Sequence, residues 1–342
     1  MGIEETNRIA YLSFLRIFGV FFVVFWHSFC SYGPWNIIII KGFSLPNLLL
    51  DIMTPFVAMM PFMTFLSGYL FSWLSLKGKY DGFLKLIKNK FSRLIIPMLV
   101  FGFLPSFIIY MDTNDKLAFF DNWLNGIDHL WYLSMLFWCF LALYFLIKIK
   151  SKYVQLFILI VSFCFMYVDF PNHLGFKYFG KLFFYFYAGY IINLYWKSIV
   201  LEFNRKRIIV LAIFLISSLF VIVINSYLSL IGSGIIGKLV LAILNNYIRF
   251  SFLLLSVIIF YKLDGAGFLK YNKIIEDLDS CSFGIYIFHA FLIPVFFTPL
   301  FLNIAIKHYI VYPFFVFVIV LSCSYYITKI IKKTKIGRSL VG

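Results

Sequence analysis

Apolar runs near twenty residues recur along this 342-residue chain, and they leave few folds open to it. About 20 apolar residues in a helix cross the hydrocarbon core of a bilayer, because a helix satisfies its own backbone N–H and C=O groups. A membrane barrel would need strands of alternating polarity, which these continuous, aromatic-rich runs do not provide. At 63% hydrophobic and 13% charged residues, the composition lies far from that of soluble domains, where about half the residues are apolar and a quarter charged. Ten spans are expected, at 9–30, 52–76, 94–111, 130–147, 153–168, 178–196, 208–228, 239–261, 282–303 and 309–330. The expected fold is all-α, a polytopic transmembrane bundle of about ten helices.

The formal net charge of +16 invites a nucleic-acid reading, but its placement argues against one. With the N-terminus inside, the inner segments hold 22 Lys and Arg and the outer segments only six, leaving Arg16 and Arg249 within spans. That asymmetry is the positive-inside pattern, and an even number of spans puts both termini in the cytoplasm. The basic surplus therefore encodes topology, and no nucleic-acid partner is expected. The first span carries charge and lacks a small-residue cleavage site, so it is expected to be retained. No connection has room for a second folded domain. A single membrane domain over 1–342, without a soluble extracytoplasmic domain, is expected. The cysteines Cys30, Cys139, Cys164, Cys281 and Cys323 show neither a disulfide framework nor ligand spacing, so no metal site is expected.

Charge inside hydrocarbon is costly and is seldom kept without a task. Arg16 and His27 stand eleven positions apart in the first span. At 100° per residue they return to within about 20° of one azimuth, roughly 16 Å apart along the axis. A fixed cation and a titratable imidazole on one stripe suit a long anionic ligand, with His27 able to accept a proton from a hydroxyl. Lys88, Lys90 and Arg93 lie at the inner mouth of the third span, where they can bind the phosphates of a nucleotide cofactor. No phosphate-loop or dinucleotide glycine motif is present. Pro55, Pro61 and Gly68 interrupt the second span, and Ser67-Gly68 permits a close helix approach. His129 and Trp131 open the fourth span at the outer face, Trp131 and Tyr132 fitting an aromatic belt. His289 sits deep in the ninth, where an unpaired polar group is expensive.

Five segments occur in order: Arg16 with His27, Phe62-Met-Thr-Phe-Leu-Ser-Gly-Tyr69, Lys90-Phe-Ser-Arg-Leu-Ile-Ile-Pro97, His129-Leu-Trp-Tyr-Leu133 and Ser282-Phe-Gly-Ile-Tyr-Ile-Phe-His289. Together they closely resemble acyltransferase family 3, membrane proteins that O-acetylate bacterial surface polysaccharides. The resemblance covers essentially the whole chain. It implies a ten-helix protein of the bacterial cytoplasmic membrane. Such a protein moves an acetyl group from cytoplasmic acetyl-CoA to a sugar hydroxyl of O-antigen, capsule or exopolysaccharide, or of a lipid-linked precursor. Arg16 and His27 would be the catalytic pair. Arg16, Lys88, Lys90 and Arg93 would bind the cofactor, without any metal. Ser67, His129, Trp131, Tyr286 and His289 would line the cavity or acceptor site. Lys90 stands where the family more often has arginine. Ser13 stands where many members have an aspartate, so any charge partner of Arg16 must come from elsewhere. Direct deprotonation by His27 and a transient acyl-histidine both remain open. The rival class is a transporter or flippase for a lipid-linked glycan, although no paired halves with broken helices are seen.

Overall fold

The computed structural model describes residues 2–30, 59–80, 82–231 and 234–342. Among these residues the chain is all-helical, without strands. The helices in order are α1 (Gly2–Cys30), α2 (Met59–Leu76), α3 (Phe83–Lys90), α4 (Ile96–Thr113), α5 (Lys116–Asn125), α6 (Trp131–Leu146) and α7 (Lys152–Phe165). They continue as α8 (Phe176–Leu194), α9 (Trp196–Ile231), α10 (Ile235–Gly265), α11 (Lys273–Leu292), α12 (Pro299–Lys307), α13 (Tyr312–Ile331) and α14 (Lys335–Val341). A π-helical turn, Phe91–Ile95, joins α3 to α4.

Seven stretches among the described residues are long and apolar enough to cross a membrane: Ala10–Phe29, Met59–Leu76, Phe83–Thr113, Asp128–Leu146, Leu239–Gly265, Lys273–Phe297 and Tyr312–Ile331. The chain is a multi-pass membrane protein. The remaining expected spans coincide with helices of a different character. Helix α7 is apolar but only 14 residues long, α8 carries Lys177 and Lys181 among tyrosines, and α9 is kinked at Lys206. Pro55 and the expected loop at 31–51 lie outside the described residues.

Backbone contacts gather into two compact units. The first comprises Met1–Tyr11 with Ile191–Lys270. In it Tyr261 meets Trp196 edge to face at 5.2 Å, and the Tyr11 amide donates to Asp264 at 3.3 Å. The second comprises Leu12–Tyr190 with Tyr271–Gly342 and holds every candidate site residue. Its core includes residues 12–29 of α1, every one of them buried or half-buried. Val20 and Val24 of α1 pack with Ile285 of α11 and with Val316 and Val320 of α13. Leu104 and Ile108 of α4 and Phe315 of α13 are instead exposed, the surface a bilayer covers.

Two glycines set the crossing of α2 and α8. A Cβ at Gly68 would lie 1.9 Å from the Phe186 carbonyl oxygen, and one at Gly189 would lie 2.1 Å from that of Phe65. The obstacles are backbone, so only glycine permits this approach, as Ser67-Gly68 suggested. Helix α11 also differs from expectation. It begins at Lys273, capped by the Asn272 side chain, well before the expected span start at 282. Its first turns therefore place acidic residues on a helix rather than in a loop.

Candidate active site

Helices α1 and α11 meet at two rungs. At the first, the Arg16 guanidinium donates to Asp279 Oδ2 at 2.6 Å, and the Ser13 hydroxyl donates to the same oxygen at 2.8 Å. At the second, His27 Nδ1 lies 2.7 Å from His289 Nε2. Both contacts advance along both chains, so the two helices run parallel there. The intervals of eleven and ten residues correspond to roughly 15 Å of rise. The charge partner that Ser13 could not supply to Arg16 thus comes from α11. Ser13 contributes a hydrogen bond instead.

A cavity of about 550 Å³ begins at the ionic rung. Arg16 and Val20 of α1, Ser67 of α2, and Tyr132 of α6 line it, together with Asp279, Ser282 and Tyr286 of α11. Lys79, Tyr80, Lys90 and Arg93 form its basic wall, with Glu276 as the other acid. Among the described residues, Lys79, Lys90 and Arg93 have no carboxylate within ion-pair distance. The Lys90 ammonium sits among three rings instead, 3.5 Å from the centre of Phe140, 5.2 Å from Tyr80 and 5.7 Å from Phe71. Such cation–π contacts hold an ammonium in place while leaving its charge uncompensated. The Tyr80 phenol is pushed above its ordinary value by burial, opposed by Arg93, and so remains a neutral donor at physiological pH. Three cations on one wall, none paired with a carboxylate among the described residues, suit an anionic ligand.

Placement separates the expected residues. Lys90 and Arg93 share the cavity wall, whereas Lys88, half a helical turn from Lys90, is exposed and does not line the cavity. Ser67 and Tyr286 line the cavity. His27, His129 and His289 do not; the Tyr286 ring, which with Tyr132 forms the cavity floor, lies 5.4 Å from His129 and 5.7 Å from His289, centre to centre. Of the two α1 residues on one stripe, Arg16 lines this cavity and His27 does not. On α1 the stripe between them carries Val20, Val23 and Val24, all buried. Trp131 stacks on Tyr178 at 3.9 Å rather than entering the cavity. Tyr132, expected in an aromatic belt, is buried.

The histidines form a compact group beside that floor. His289 is fully buried and lies 5.2 Å, centre to centre, from His129. His129 Nε2 donates to the Ile287 carbonyl at 2.9 Å, and the Tyr286 hydroxyl donates to the His129 carbonyl at 2.5 Å. Tyr286 thus belongs to both places, its ring to the cavity floor and its backbone to the histidine group. Among the described residues no group of His, Cys, Asp or Glu is arranged to hold a metal ion.

Asp279, Tyr132, Lys79 and Tyr80 were not anticipated. A signal for Asp279 existed: it precedes His289 by ten positions, nearly the interval separating Arg16 from His27. The acids of Glu276-Asp-Leu-Asp279 lowered the local hydropathy and disguised the helix as a loop.

A membrane-embedded bundle with a cationic cavity ending near paired histidines suits transfer of a group from a large anionic donor. The chain belongs to acyltransferase family 3; its residues 9–329 match that family's acyltransferase domain. It is a membrane acyltransferase. No curated protein and no solved structure matches it.

Proposed function

We propose that the protein is an O-acetyltransferase of the bacterial cytoplasmic membrane, folded as one membrane domain with both termini in the cytoplasm. It moves the acetyl group of cytoplasmic acetyl-CoA to a sugar hydroxyl of O-antigen, capsule or exopolysaccharide, or of a lipid-linked precursor. The observation that carries this reading is the cation-walled cavity floored by Tyr286, whose ring centre lies 5.7 Å from that of His289 in the histidine rung. Lys79, Lys90 and Arg93 bind the donor phosphates through charge-assisted hydrogen bonds. Arg16, held by Asp279, faces the arm that carries the thioester. Contact between thioester and His27 requires the Tyr132–Tyr286 floor to part. His27 then takes the proton of the acceptor hydroxyl, whose oxygen attacks the thioester carbonyl as the carbon–sulfur bond breaks. A covalent acyl-His27, detectable by mass spectrometry of quenched enzyme, would mark the alternative two-step route.

The test is reconstitution in lipid with labelled acetyl-CoA and glycan from a strain lacking the gene. Label in the glycan that disappears with His27→Ala supports the reading. Undiminished transfer by a folded His27→Ala protein overturns it. Polymer missing from the surface of the deletion strain, rather than exported without acetyl groups, would favour transport instead.

A further inference from the structure

His289 makes contacts that determine where its protons sit. Its Nδ1 lies 2.6 Å from the Tyr286 carbonyl oxygen and 3.2 Å from that of Ile285. Carbonyl oxygens only accept, so Nδ1 must carry the hydrogen. In the neutral ring Nε2 is then a bare acceptor, and it stands 2.7 Å from His27 Nδ1. The rings are parallel within 3° with centres 4.9 Å apart. A nitrogen contact that much shorter than the centre separation, between parallel rings, is an edge-to-edge hydrogen bond and not a face-to-face stack. Two bare nitrogens at this distance would repel, so His27 Nδ1 carries the proton. His27 Nε2 is left with a free lone pair. The arrangement follows from chain geometry alone: helix α11 supplies both the imidazole and the carbonyls that orient it.

We propose that His289 is a positioning residue of the transfer reaction, holding His27 with its Nδ1 protonated and its Nε2 free to receive the acceptor's proton. The inference rests on the acyl-transfer reading above and deepens it. As the acceptor O–H bond breaks, its proton joins His27 Nε2. The Nδ1 proton of His27 moves to His289 Nε2, and the resulting charge on His289 is met by the two α11 carbonyls. When the thiolate leaves, it takes the proton from His27 Nε2, and His289 returns its proton to His27 Nδ1. No electrons beyond those of the thioester and the hydroxyl are needed.

Nitrogen NMR of the full chain in nanodiscs, with isotope-labelled histidine, reads the tautomer directly. His27, identified by its loss in His27→Gln, is expected with hydrogen on Nδ1. In His289→Leu it is expected to revert to the Nε2-protonated form common in free histidine. Acetyl transfer by His289→Leu should fall about 100-fold in kcat with little change in the donor KM, the scale of a lost general base. His289→Gln offers an acceptor oxygen near the position of Nε2. It should retain the His27 tautomer and recover most of the tautomer-dependent loss, which guards against misfolding of the leucine variant. Hydrogen on Nε2 of His27 in the unmodified protein overturns the proposal, as does full activity in His289→Leu. Either outcome leaves acyl transfer standing if His27→Gln is inactive. An active, folded His27→Gln protein defeats the acyl-transfer reading itself, whatever the tautomer.

Discussion

The two rungs between α1 and α11 join the same pair of helices, yet they are built for different work. The ionic rung opens on the cavity: the Arg16 side chain is 40% exposed, against 10% for Asp279. Among the described residues Arg16 Nε and Asp279 Oδ1 are buried without hydrogen-bond partners, so this rung retains unused capacity. The histidine rung does not line the cavity, and both nitrogens of the fully buried His289 are engaged. An ion pair that solvent reaches on one side is partly screened, so it contributes less to stability than a fully buried contact. A buried hydrogen-bonded pair fixes its geometry, because an unmade bond there is expensive. The first rung is therefore suited to meeting a ligand and the second to holding a reactive group still.

This contrast predicts that substitutions will divide between catalytic rate and donor affinity. The largest effect is expected at the histidine rung: His27→Ala should lower kcat about 1,000-fold with the donor KM nearly unchanged. A comparable rise in KM would erase the distinction between the rungs. Next in size is the scaffold common to both. Gly68→Val sets a side chain against the Phe186 carbonyl and should cost about 2–3 kcal/mol, read as a lower thermal transition in detergent. A normal transition would show that the α2–α8 crossing yields. On the basic wall, Lys90→Met should raise the donor KM about tenfold, the loss of one charge-assisted contact. Lys88→Met, outside the cavity, should leave KM unchanged, and equal effects from the two lysines would break the assignment. Among the site residues, the smallest change is expected for Asp279→Asn. It should alter the donor KM only a few-fold and stability by less than about 1 kcal/mol, because the Arg16 side chain is partly in solvent. Titration of initial rates against acetyl-CoA checks the kinetic predictions.

The legible part of the molecule was what depends on local pattern. The apolar runs announced helices, and Ser67-Gly68 announced a close crossing, because only a residue without a Cβ tolerates a carbonyl at that distance. The spacing of Arg16 and His27 placed them on one stripe of α1 without any knowledge of neighbours. The basic character at Lys90 and Arg93 was also visible, but not that Lys88 turns away from them. Less legible was anything that reached between helices. Ser13 signalled that the partner of Arg16 was missing, yet nothing near it pointed to Asp279. The acids in the first turns of α11 read as loop, because hydropathy averages over side chains that a fold can sort onto different faces.

The amino-acid sequence by itself determined that this chain is helical, lives in a membrane, and carries a cation and an imidazole on one face of its first span. Those properties follow from backbone hydrogen bonding in hydrocarbon and from helical periodicity, which act within a segment. Only the tertiary structure decided that Asp279 holds Arg16, that three rings cage Lys90, and that His289 meets His27 at hydrogen-bond distance. It also decided that Tyr132 and Tyr286 line the cavity while the three histidines do not. Each of these is a contact between residues far apart in the chain, and packing selects such contacts where local propensity has no say.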